Sequence, residues 1–132
     1  MNNTTLVEST MNELTYAESI LTMIIDNDVK SDGNLFNSIE AVVENISRAK
    51  KNVCNINTDE NHKSIGDIEV SKGQTIEMVI GSILTTLETA INLKVAEESE
   101  HLKNQDEYII NLINSAKLNL DMVYTKVSFP EC

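Results

Sequence analysis

The stretch Ile76–Val95, IEMVIGSILTTLETAINLKV, is the most apolar in the chain, and its reading decides the fold. Ile76, Ile80, Ile83, Leu87 and Ala90 recur at steps of 4, 3, 4 and 3, with Val79, Leu84 and Ile91 beside them. That period marks one face of an α-helix. Between Met78 and Leu93 there is a single charge, Glu88. The other side carries Gly81, Ser82, Thr85, Thr86 and Thr89, small and uncharged, where a surface helix normally shows charges. A glycine inside a helix costs about 1 kcal/mol relative to alanine. The expectation is that a second helix approaches closely on this side, which makes the segment the central helix of a bundle. The alternative is an exposed docking or homodimer face.

Three more amphipathic helices surround it in sequence. Over residues 6–27, Val7, Met11, Leu14, Ala17, Leu21 and Ile24 form a stripe, and Thr4 or Thr5 is placed to cap it, with Glu8 completing a capping box to Thr5. Over residues 34–53, Leu35, Ile39, Val42, Ile46, Ala49 and Val53 step by 4, 3, 4, 3 and 4. Asp32 or Asn34 serves as its N-cap. Glu40 and Glu44 come early and Arg48, Lys50 and Lys51 late, an order that suits the helix dipole. Over residues 104–127, Ile109, Leu112, Ala116, Leu120, Val123 and Val127 form the last stripe, with Ile113 beside it. The central helix is placed at 74–97. The run 97–104 holds no Gly or Pro, so one continuous helix of about fifty residues is the competing reading. Two helices are preferred, because one so long needs a partner along its whole length.

Residues 54–73, CNINTDENHKSIGDIEVSKG, lose the period. Twenty residues without one is long for a connection in a compact domain. Ile65, Ile68 and Val70 are candidates to tuck onto the core, and Ile68–Val70 to form a short extended piece. The whole reads as one all-α domain, an antiparallel bundle of about four helices built from two αα-hairpins with a long polar loop at 54–73.

Composition narrows the function classes. The chain has 132 residues, four Gly and one Pro, too few turn signals for an all-β fold. Apolar residues are 41% but aromatics only 4%, so the core must be aliphatic. Cys54 and Cys132 are no disulfide framework. The N-terminus has no signal-peptide pattern and no run of eighteen apolar residues occurs, so the expectation is a cytoplasmic protein without a transmembrane helix. The net charge is -11 and there is one Arg, which argues against direct binding to nucleic acid or anionic membrane.

Sites for chemistry are sparse. Cys54, Asp59, Glu60, His62, Asp67, Glu69, His101 and Cys132 lack the tight pairing of a structural metal site. There is no phosphate loop, no nucleotide fingerprint and no nucleophile elbow. No metal and no cofactor is expected, and no catalytic residue is assigned. The leading expectation is a non-enzymatic protein that binds another macromolecule as an inhibitor, adaptor or regulator. Glu8, Glu13, Glu18, Asp26, Asp28 and Asp32, with Glu97, Glu98 and Glu100, are the candidate acidic surface. Such a surface imitates a polyanion to a basic nucleic-acid-binding protein, by analogy with the DNA-mimic inhibitors of phage and mobile elements. Gly81, Ser82, Thr85, Thr86 and Thr89 are the candidate helix-docking or dimer face. A self-associating bundle whose acidity only confers solubility is the alternative, and a small hydrophobic-ligand carrier comes third.

Overall fold

The computed structural model describes residues 3–27, 34–58, 63–99 and 106–128. Four helices carry the architecture: α1 (Asn3–Asn27), α2 (Asn34–Val53), α3 (Ile76–Ser99) and α4 (Asp106–Ser128). Between α2 and α3 stand a 3-10 turn at Ile65–Asp67 and two short strands, β1 (Glu69–Ser71) and β2 (Gln74–Thr75). Helix packing runs α1 on α2, α2 on α3, α3 on α4 and α4 back on α1. The helices therefore close a ring around one core. α3 and α4 pack side by side, which a single long helix cannot do.

The apolar stripes fill that core. On α2, Leu35, Ile39, Val42, Ile46, Ala49 and Val53 are all at 0% exposure, and so are Ile76, Ile80, Ile83, Leu87 and Ala90 on α3. Each large aliphatic side chain enclosed this way contributes about 2 kcal/mol. By length and composition, Ile76–Ala96 is also apolar enough to cross a bilayer. The expectation of no such segment is corrected to that extent, because unbroken apolar runs are too strict a test. In this fold the other helices enclose the inner stripe of α3, and the rest of that segment stays at least partly exposed.

Several side chains depart from the sequence reading of the stripes; on α1, Val7 and Met11 are only half-buried. Thr10 is buried where α1 begins to face the core, and its hydroxyl donates to the Leu6 carbonyl at 2.7 Å. On α4 the seam passes through Ile113, while Leu112 is half-buried at its edge. Lys94 is 6% exposed. It occupies the next stripe position after Ala90, and its position rather than its charge decides its burial.

The helix ends differ too. Thr4 and Thr5 lie inside α1, which starts at Asn3, so neither caps it. Asn34 is already helical and Asp32 lies outside the described residues. Lys50 and Lys51 do sit in the last turn of α2, whereas Glu40 and Glu44 fall beyond its first turn. The helix α3 begins at Ile76, two residues later than expected, because Gln74 and Thr75 are spent in β2. Thr75 caps it, its hydroxyl accepting from the Met78 amide at 3.2 Å.

The 54–73 segment is more structured than a polar loop. Ile56 is 1% exposed and Ile65 6%, so two side chains pin it to the core. The Ile65 amide donates to the Ile56 carbonyl at 2.8 Å, and Asn57 bridges Ser64. A capping box closes the 3-10 turn: the Ser64 amide donates to Asp67 Oδ2 at 3.0 Å. Gly73, at φ 80°, makes the tight corner between β1 and β2. Ile68 and Val70 pack against the core as half-buried residues. The segment touches α2, α3 and α4. Asn52 of α2 donates to Ser9 of α1 at 3.3 Å, and Ser128 of α4 approaches the Met11 sulfur at 3.6 Å. The segment therefore covers the bundle end where α1 and α3 start and α2 and α4 finish.

Candidate functional site

The two surfaces singled out in the sequence fare differently once the helices are in place. On α1, Glu8 and Asp26 are exposed, and Glu13 and Glu18 are half-buried. An α-helix turns about 100° per residue, so Glu8 and Asp26, five turns apart, share the outward azimuth. Glu13 and Glu18 fall on opposite flanks of it. Asp28, Asp32, Glu100 and the side chains of Glu97 and Glu98 lie outside the described residues. Within the described part, the acids do not converge on one face.

Glu13 already has a partner. Its Oε1 lies 3.0 Å from Arg48 Nε, joining α1 to α2. Arg48 Nη2 also donates to Asn45 Oδ1 at 2.7 Å, and Asn45 is buried. The hydrogen bond to Glu13 raises the Arg48 pKa further above its ordinary value, with the charges of Glu13 and Glu44 adding and desolvation opposing. Glu13 Oε2 is enclosed and accepts no hydrogen bond from the described residues. This is an ion pair within the fold, so Glu13 is not a free acid for a partner.

The Gly/Ser/Thr side of α3 is uncovered, which overturns the expectation of a closely packed helix there. Ser82, Thr85 and Thr89 are exposed and Gly81 and Thr86 half-buried. Beyond the backbone of its own helix, a Cβ added at Gly81 meets no atom of the described residues within 4 Å. The ring of four helices consumes one stripe of α3 and leaves the opposite side outward. Three hydroxyls on this side are satisfied by the helix itself. Thr85 donates to the Gly81 carbonyl at 3.1 Å, Thr86 to Ser82 at 2.9 Å and Thr89 to Thr85 at 2.9 Å. A threonine bonded back in this way presents its methyl group and asks little of a covering surface.

Apolar exposure has a side as well. Among the described residues the exposed large apolar side chains are Tyr16 and Met23 on α1, Met78 and Val95 on α3, and Tyr108, Leu118 and Met122 on α4. Five of these seven sit on the α3–α4 hairpin. Its exposed charges among the described side chains are Glu88, Glu107 and Asp121. The outward side of α2 is the opposite case, with Glu40, Glu44, Arg48 and Lys51 exposed. Scattered exposed apolar residues are ordinary, and here most of the described ones fall on one hairpin.

Chemistry at single residues is thin. Cys54 is exposed at the end of α2. Burial of its sulfur, followed by the neighbouring Glu77 carboxylate, pushes the thiol pKa up, which lowers its thiolate fraction and its nucleophilicity. Among the described residues no three His, Cys, Asp or Glu side chains group to hold a metal ion. Asp59, Glu60, His62, His101 and Cys132 lie outside the described residues. No family model, no curated protein and no solved structure matches this chain.

Proposed function

We propose that this protein acts by binding another macromolecule, as an inhibitor, adaptor or regulator, and that the outer side of the α3–α4 hairpin is its contact surface. The observation that motivates this reading is that five of the seven exposed large apolar side chains among the described residues, Met78, Val95, Tyr108, Leu118 and Met122, sit on that hairpin, whose α3 also leaves Ser82, Thr85 and Thr89 exposed. A protein interface has an apolar centre and a polar rim. Here the apolar contacts are supplied by these side chains and the outward threonine methyls, and the charged ones by Glu88, Glu107 and Asp121. The net charge of -11 fits a partner of opposite sign. Long-range attraction then speeds encounter, and the apolar centre holds the complex. The occupant is a protein whose apolar patch is ringed by Lys and Arg, such as a nucleic-acid-binding protein. Polyanion mimicry by the acids of α1 alone is less favoured, because Glu13 is paired with Arg48 and Glu18 lies on a flank away from Glu8 and Asp26.

Self-association is the second reading, favoured by one observation: the exposed face of α3 from Met78 to Asn92 carries Glu88 as its single charge, so two copies meet there with little repulsion. Light scattering and affinity capture from the native host, each at low and high salt, separate the two. A monomer that captures a basic protein, with capture falling steeply as salt rises, supports the first reading. A salt-insensitive dimer that captures nothing removes it in favour of the second.

A further inference from the structure

We draw no further inference here: the strongest candidate, pairing of two copies through the uncovered Gly81, Ser82, Thr85 and Thr89 face of α3, belongs to the surface already described, and nothing in the structure shows what covers it.

Discussion

Replacing Gly81 by alanine separates an open α3 face from a covered one. Gly81 lies within α3, and an added Cβ meets nothing within 4 Å. No clash opposes the helix-propensity gain, which is about 1 kcal/mol for alanine over glycine. Part of that gain comes from the unfolded chain, which loses freedom when glycine is replaced. For a chain of this size the expected rise in Tm is roughly 3–5 °C. Urea unfolding followed by far-ultraviolet circular dichroism should show a higher midpoint with an unchanged slope. Gly73 is the control, since its φ of 80° lies in the left-handed region. Gly73→Ala should lose about 1–2 kcal/mol although it too has free space around it. A loss of stability in Gly81→Ala would refute the reasoning, because only an atom packed against that face turns the gain into a cost. The measurement is made across a range of protein concentrations, so that a second copy covering the face is recognised by its concentration dependence.

The other predictions concern the core, the cap and the thiol. Leu87→Ala removes a fully enclosed side chain from the inner stripe of α3 and should cost about 2–5 kcal/mol in urea unfolding. Ile56→Ala should cost a similar amount and speed proteolysis within 54–75, because Ile56 is one of the two side chains that pin this segment. Thr75→Ala removes the acceptor of the Met78 amide and should cost about 1 kcal/mol. Alkylation of Cys54, read on its own peptide by mass spectrometry, should be slower than that of an unfolded peptide at the same pH, and Glu77→Gln should speed it. The same shift has a sign for stability: the folded thiol holds its proton more tightly than the unfolded one. This contribution is therefore full below the ordinary thiol pKa of about 8.5 and is lost as pH rises through the folded value.

The helical plan was legible because hydrophobic period is a local signal. The 4-3-4-3-4 spacing from Leu35 to Val53 names six residues, and all six are fully enclosed. The same rule extended one step would have found Lys94, which follows Ala90 at the next stripe position; its charge masked its place. Segment 54–75 was less legible, because a bridge, a 3-10 turn and two strands of three and two residues are too short to impose a period. Its legible cues were Ile65, Ile68 and Val70, which do meet the core, and the extended piece at Ile68–Val70, which overlaps β1; Ile56 gave no pattern of its own. The α3 face shows the limit of composition. Small residues permit close approach, yet whether a neighbour arrives depends on how many helices there are and how they close. The four helices here enclose one side of α3 and leave Ser82, Thr85 and Thr89 on the other exposed. Of the acids on α1, Glu8 and Asp26 share the outward azimuth while Glu13 and Glu18 take its flanks, a distinction that follows from their spacing around the helix.

The most direct test of the proposed contact surface compares two pairs of charge changes in capture of the same partner. Thr85→Arg with Leu118→Arg places cations on the α3–α4 side, where both residues are exposed. Glu40→Lys with Glu44→Lys places them on α2, at positions also exposed. Both variants should keep wild-type circular dichroism and unfold cooperatively. The partner should be lost from the first variant and retained, with slower capture, by the second. Retention by the first variant and loss from the second would contradict the assignment and return binding to the charged side of the bundle.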